Sequence, residues 1–139
     1  MTGLLRGVID IHLHSFPDVR PRSIDDLSAA RASVAHGMGG VVLKNHHAPT
    51  ADRAAVARLA VPGAPVYGGV VLNDGVGGLN PDAVEACAHA GGRIVWLPTF
   101  GAANHLRHQS ARGGRPAGAT GIALLDRRGR PSLALQATF

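Results

Sequence analysis

Short apolar runs alternate with amphipathic stretches through the first hundred residues of the chain. Val8–Leu13 is apolar and β-branched enough for a strand. Ser23-Ile24-Asp25-Asp26 opens a helix, with Ser23 as N-cap and acids in the first turn. Its apolar residues Ile24, Leu27, Ala30 and Val34 keep helical spacing, and Gly37 stops it. Gly40–Leu43 is a buried-type strand, and Thr50 caps a helix through about Leu59, which ends before Pro62. Val66–Leu72 is a third strand. Asn80-Pro81-Asp82 starts a helix with Pro at its first position, an inner stripe of Val84, Cys87 and Ala88, and Gly91 as its stop. Arg93–Leu97 is a fourth strand.

The pattern predicts β-α-β-α-β-α-β, with strands ending near Leu13, Leu43, Leu72 and Leu97. Short apolar strands separated by helices imply a parallel sheet in an α/β fold. A doubly wound sheet and part of a (β/α)8 barrel both fit, and in either one functional groups collect at the C-terminal strand ends. After Leu97 the pattern changes. Ala111–Gly121 is rich in Gly, Arg and Ala and reads as a loop, and Gly121–Leu125 with Ser132–Leu135 reads as a hairpin around Asp126–Gly129.

Polar and metal-binding residue types follow each apolar strand. The first strand carries Asp10, His12 and His14 on one face, opposite Ile9, Ile11 and Leu13. Two imidazoles two residues apart on a strand can grip one divalent ion. Asp10 is either an orienting partner for an imidazole or a structural residue of the strand. The second strand ends in Lys44-Asn45-His46-His47, the third in Asn73-Asp74, and the fourth in Pro98-Thr99 with Asn104-His105 beyond. On parallel neighbours these groups converge on one mouth.

Of the adjacent histidines, His46 is favoured as a ligand or acid/base, with His47 facing away. Lys44 is read as a cation for an anionic or carbonyl-bearing substrate, or else as a snorkelling surface lysine. Asn73 and Asp74 either position substrate or form a turn. Arg20 and Arg22 can hold a carboxylate or phosphate. His36, His89 and His108 are bystanders. Gly68-Gly69 and Gly77-Gly78 form no phosphate-binding loop.

Composition narrows the function classes. The net charge of +5 arises wholly after residue 104, because the preceding segment holds eight basic and eight acidic residues. The basic character therefore belongs to the tail, which lacks interleaved aromatics and argues weakly for nucleic acid. No run approaches the roughly 18 apolar residues of a membrane span, and Met1–Gly7 lacks a signal-peptide core, so a cytoplasmic location is expected. Cys87, the one cysteine, reads as an inert core thiol.

Asp10-x-His12-x-His14, Pro17-Asp18-Val19-Arg20-Pro21-Arg22 and Leu43-Lys44-Asn45-His46-His47, in this order, resemble an uncharacterised branch of the amidohydrolase superfamily. Leu72-Asn73, Gly77–Pro81, Trp96–Thr99 and Ala103–His105 extend the resemblance over roughly residues 4–110. It implies a (β/α)8 TIM-type barrel, with His12 and His14 as metal ligands on the first strand and hydrolysis by a metal-activated water. The expected metal set is His12, His14, His46 and His105, holding zinc foremost, with manganese or iron as alternatives. Lys44, Asn73 and His46 would act on a small-molecule substrate.

The polymerase-and-histidinol-phosphatase group shares the His-x-His opening and a histidine at the position of His46. It carries a carboxylate where this chain has Asn73, which counts against a phosphoesterase. A whole barrel needs about 200–250 residues. Four β-α units are therefore expected here: residues 1–110 as the N-terminal half of a barrel, and 111–139 as a loop and hairpin of the same domain. This arrangement suggests a truncated product. A catalytically dead remnant or interaction module is the competing reading, and pairing of two copies would cover the open sheet edge.

Overall fold

The computed structural model describes residues 3–113 and 121–139. Its architecture is mixed α/β with parallel strand pairs throughout. Strands β1 (Ile9–Leu13), β2 (Gly40–Leu43) and β3 (Val66–Tyr67) form one sheet in chain order, and β4 (Gly69–Val71) pairs with β5 (Ile94–Trp96) in a second. Helices α1 (Asp26–Ala35), α2 (Ala51–Ala60) and α3 (Pro81–His89) connect them, followed by α4 (Ala103–Ala111) and α5 (Leu133–Thr138). The described strands do not close into a barrel. No helix among the described residues is long and apolar enough to cross a membrane.

The third strand of the sequence reading, Val66–Leu72, is two strands broken at Gly68. A Cβ at Gly68 would collide with the Thr50 carbonyl and the Ala51 nitrogen, so the sheet must bend here around the start of α2. Thr50 fills that junction. Its hydroxyl donates to the Leu43 carbonyl (2.6 Å) and accepts from the Gly69 N–H (2.9 Å), joining the end of β2 to the start of β4. Thr50 precedes α2 as expected, but its hydroxyl makes these ties and does not cap the helix.

The core lies on the helix-covered face of the strands. Val41, Leu43 and Val66 pack with Ala30, Ala54, Ala57 and Ala64, while Val70, Leu72 and Cys87 pack with Ala51. Small alanines let the helices approach the sheet closely. On the opposite face two aromatic rings lie over glycines: Tyr67 over Gly40 and Trp96 over Gly69. Cys87 is a buried free thiol whose pKa is pushed up by burial and then by Asp52, as fits an inert core residue.

Several expectations need correction. The N-cap of α1 is Asp25, not Ser23: its carboxylate accepts from the Ser28 N–H (2.8 Å). The Phe16 N–H donates to the Ile24 carbonyl and the Asp26 N–H to the Phe16 carbonyl, which keeps residues 24–25 extended and delays the helix. Val34 of α1 and Ala88 of α3 are exposed rather than inward. Ile9 and Ile11 are 59% and 57% exposed, on a strand that lies at the edge of its sheet among the described residues.

The region after Leu97 also differs. It contains α4, a polar helix anchored by the one buried residue Leu106. In place of a hairpin, a turn at Asp126–Gly129 leads through a single Leu125–Pro131 bridge into α5. The Ser132 hydroxyl caps that helix by accepting from the Leu135 N–H, turning Leu133–Leu135 helical. Most of the proposed Ala111–Gly121 loop lies outside the described residues.

Candidate metal and oxyanion site

The two histidines of β1 converge. His12 Nε2 and His14 Nε2 stand 3.2 Å apart. At this distance the neutral rings share an N–H···N hydrogen bond, and the spacing is also compatible with two ligands of one tetrahedral zinc at about 2.0–2.1 Å, which stand ~3.3 Å apart. The register of β1 against β2 shifts between Asp10 and Leu13, within the stretch that carries His12. Asp10 is consumed locally, its carboxylate accepting from the His12 backbone N–H (2.8 Å). Among the described residues it hydrogen-bonds to neither imidazole, as a structural residue of the strand would. His14 Nδ1 is buried without a hydrogen-bond partner among the described residues. The pKa values of both histidines are lowered, first by burial, then by Lys44 at His12 and by Arg22 at His14. Both rings are therefore neutral and able to act as ligands at pH 7.

The next layer comes from the end of β2. The His46 ring stacks on His14 with centroids 4.6 Å apart and on Phe100 at 4.0 Å. His46 is buried and His47 exposed, but His47 does not face away as expected: both histidines line the same cavity. Burial first, and then the cost of placing a second charge near His14, Lys44, Arg22 and His47, holds His46 down to about 4. Lys44 is buried with Nζ 4.8 Å from the Trp96 ring centroid, a cation–π contact, and forms no ion pair among the described residues. Burial lowers its pKa.

Asn73, buried at the end of β4, binds the strand ends together. Its Oδ1 accepts from the Thr99 N–H (2.8 Å) and the Gly101 N–H (3.1 Å). Its Nδ2 donates to the His46 carbonyl (3.0 Å) and to Thr99 Oγ1 (3.0 Å). Thr99 Oγ1 in turn lies 2.9 Å from His46 Nδ1. Beside this network is a cavity of about 280 Å³ whose lining includes His46, His47, Asn73, Asp74, Arg20, Phe100 and His105. The Arg20 guanidinium sits over the Phe100 ring at 4.5 Å, while Arg22 is paired with Asp18 at 2.7 Å.

The structure thus brings together His12, His14, Lys44, His46 and Asn73. His105 lines the same cavity from α4, beyond Phe100 with ring centroids 5.6 Å apart, and its buried Nε2 has no partner among the described residues. Among the described residues no three His, Cys, Asp or Glu side chains form a group able to hold one ion. His36 and His89 lie exposed at helix ends; His108 is exposed on α4. Sequence reasoning named Thr99 only as a strand end and missed Phe100 altogether. A threonine directly after the strand-terminal Pro98 is a weak signal, and only the fold reveals its partner.

The fold and site define a parallel α/β protein with a paired-histidine centre at its strand ends. The chain belongs to a family of unknown function, DUF6282, whose profile matches residues 7–137. No curated protein and no solved structure matches it.

Proposed function

We propose that the protein is a hydrolase dependent on a divalent metal, of amidohydrolase type, its sheet being part of a (β/α)8-type barrel. The observation that carries this reading is the 3.2 Å approach of His12 Nε2 to His14 Nε2. His12 and His14 would hold the ion, and the buried unpartnered Nδ1 of His14 fits a site awaiting a further polar group. Water or substrate would fill the remaining coordination positions, as in open catalytic sites. The chemistry such an ion supplies is Lewis acidity, which acidifies water and polarises a carbonyl.

The chain's own residues do the rest. Lys44 supplies an unpaired positive charge beside the histidines, suited to a substrate that carries or develops negative charge. Asn73 fixes the strand ends through four hydrogen bonds and leaves the approach to His46 rigid. The strand-end order, the unpaired cation and the neutral imidazoles support hydrolysis of an acyl or related bond in a small molecule.

The test is metal content and turnover. Purified protein analysed for zinc, manganese and iron should carry bound metal, and chelation should lower its melting temperature. His12→Ala and His14→Ala should each abolish binding, along with hydrolysis in a panel of amide, lactone and ester substrates. Metal-free protein whose stability is unchanged by added zinc, manganese or iron would sink the proposal.

A further inference from the structure

We propose that His46 serves as a neutral hydrogen-bond donor, presenting Nε2–H to an oxygen of the substrate, and does not ligate metal. The argument follows protons from the backbone outward. The Thr99 and Gly101 N–H groups can only donate, and both point at one atom of the Asn73 carboxamide, which must therefore be Oδ1. The other atom is Nδ2, and its donation to the His46 carbonyl agrees.

Nδ2 also donates to Thr99 Oγ1. The Thr99 hydroxyl has one proton of its own to place. One acceptor within reach is Asn73 Oδ1, at 3.4 Å and already holding two N–H groups. The other is His46 Nδ1 at 2.9 Å. The shorter contact to the uncommitted atom prevails, so Thr99 donates and His46 Nδ1 accepts. A neutral imidazole that accepts at Nδ1 carries its proton on Nε2.

Nε2 has no hydrogen-bond partner among the described residues and is not enclosed, and the ring lines the cavity. A fixed N–H at a cavity wall stabilises a carbonyl oxygen or the oxyanion it becomes, without charging the ring. Binding a metal at Nε2 would require that proton to leave, which the Asn73–Thr99 chain opposes by occupying Nδ1. Asn73 and Thr99 are thus positioning residues that act through His46. The catalytic part of this inference rests on the hydrolase reading, whereas the tautomer does not.

The experiment is long-range ¹H–¹⁵N correlation of the imidazoles in the full, metal-free, ¹⁵N-labelled chain near neutral pH, with His46→Gln to assign the signals. His46 is expected as the Nε2–H tautomer, unchanged in Thr99→Ser and moved toward Nδ1–H in Thr99→Val. An Nδ1–H tautomer in the parent chain overturns the inference, as does a Thr99→Val spectrum identical to the parent. The parent result stands even if a variant fails to fold. Added zinc should then shift the nitrogens of His12 and His14 and leave His46 Nε2 protonated. Loss of that proton on zinc binding overturns the inference. Zinc that moves none of the three refutes the metal reading, while a His46 tautomer of Nε2–H still bears out the proton assignment.

Discussion

Arg53 closes on Asp26 with two parallel hydrogen bonds, 2.9 Å from Nε and 2.7 Å from Nη2. The side chains are only 15% and 11% exposed. The Ser15 hydroxyl donates to the same carboxylate at 2.6 Å, and Arg53 Nη2 reaches the Ser15 carbonyl at 3.1 Å. The pair therefore locks α1 to α2 and pins the residue that follows His14.

Asp26→Ala should destabilise the fold by about 3 kcal/mol, because it strands a buried guanidinium. Replacing both partners, as Asp26→Leu with Arg53→Met, should recover a large part of that loss. Urea denaturation of the two variants checks this. Equal losses in both would show that the unpaired charge is not what costs stability.

Thr50→Val keeps the volume of a fully buried side chain but deprives the Leu43 carbonyl and the Gly69 N–H of a partner. The expected cost is about 1–3 kcal/mol. Thr50→Ser should lose much less. A valine variant with the parent's denaturation midpoint would contradict the bridging role.

Gly68→Ala should cost about 2 kcal/mol or more, since a Cβ there meets the backbone of Thr50 and Ala51, which cannot swing aside. Gly3→Ala is the control, with nothing within 4 Å of the added methyl group. Thermal denaturation of both should separate them by several degrees.

The metal-free protein should lose stability on acidification. His46 titrates near 4 in the folded chain, below its ordinary value of 6.5, because burial and then the cost of a second charge near its neighbours oppose charging. Its contribution is full above pH 6.5 and is lost as pH falls from 6.5 through 4, where the unfolded chain binds the extra proton. His46→Gln should flatten this limb only in part, since His12 and His14 are shifted the same way. A variant whose stability falls with the parent's slope between neutral pH and 4 would contradict the assignment.

Legibility from sequence followed how local the cause was. β2 matched its apolar run, Gly40–Leu43, and α3 began where Asn80-Pro81 said it would, because an apolar run and a cap act over a few residues. The break at Gly68 comes from the backbone of Thr50, eighteen positions earlier; the Gly68-Gly69 pair marked a close backbone approach but could not say what approached. α4 was hidden because Ala103–Ala111 buries one side chain and begins without a polar cap. In the site, the His-x-His pair was plain from strand alternation. The hold of Thr99 on His46 spans 53 positions and became visible only with the sheet.

One core cluster draws its buried residues from Ala30 to Val66 and nothing beyond. During synthesis that unit is complete before β5 leaves the ribosome. β1 can therefore settle against β2, and its histidine pair can form, on an already packed support. The proton-placing half of the site, at Asn73 and Thr99, arrives later in time as well as in sequence. A nascent chain stalled shortly after β3 has emerged should already bind metal through its two histidines, while His46 has yet to receive the hydroxyl that sets its tautomer.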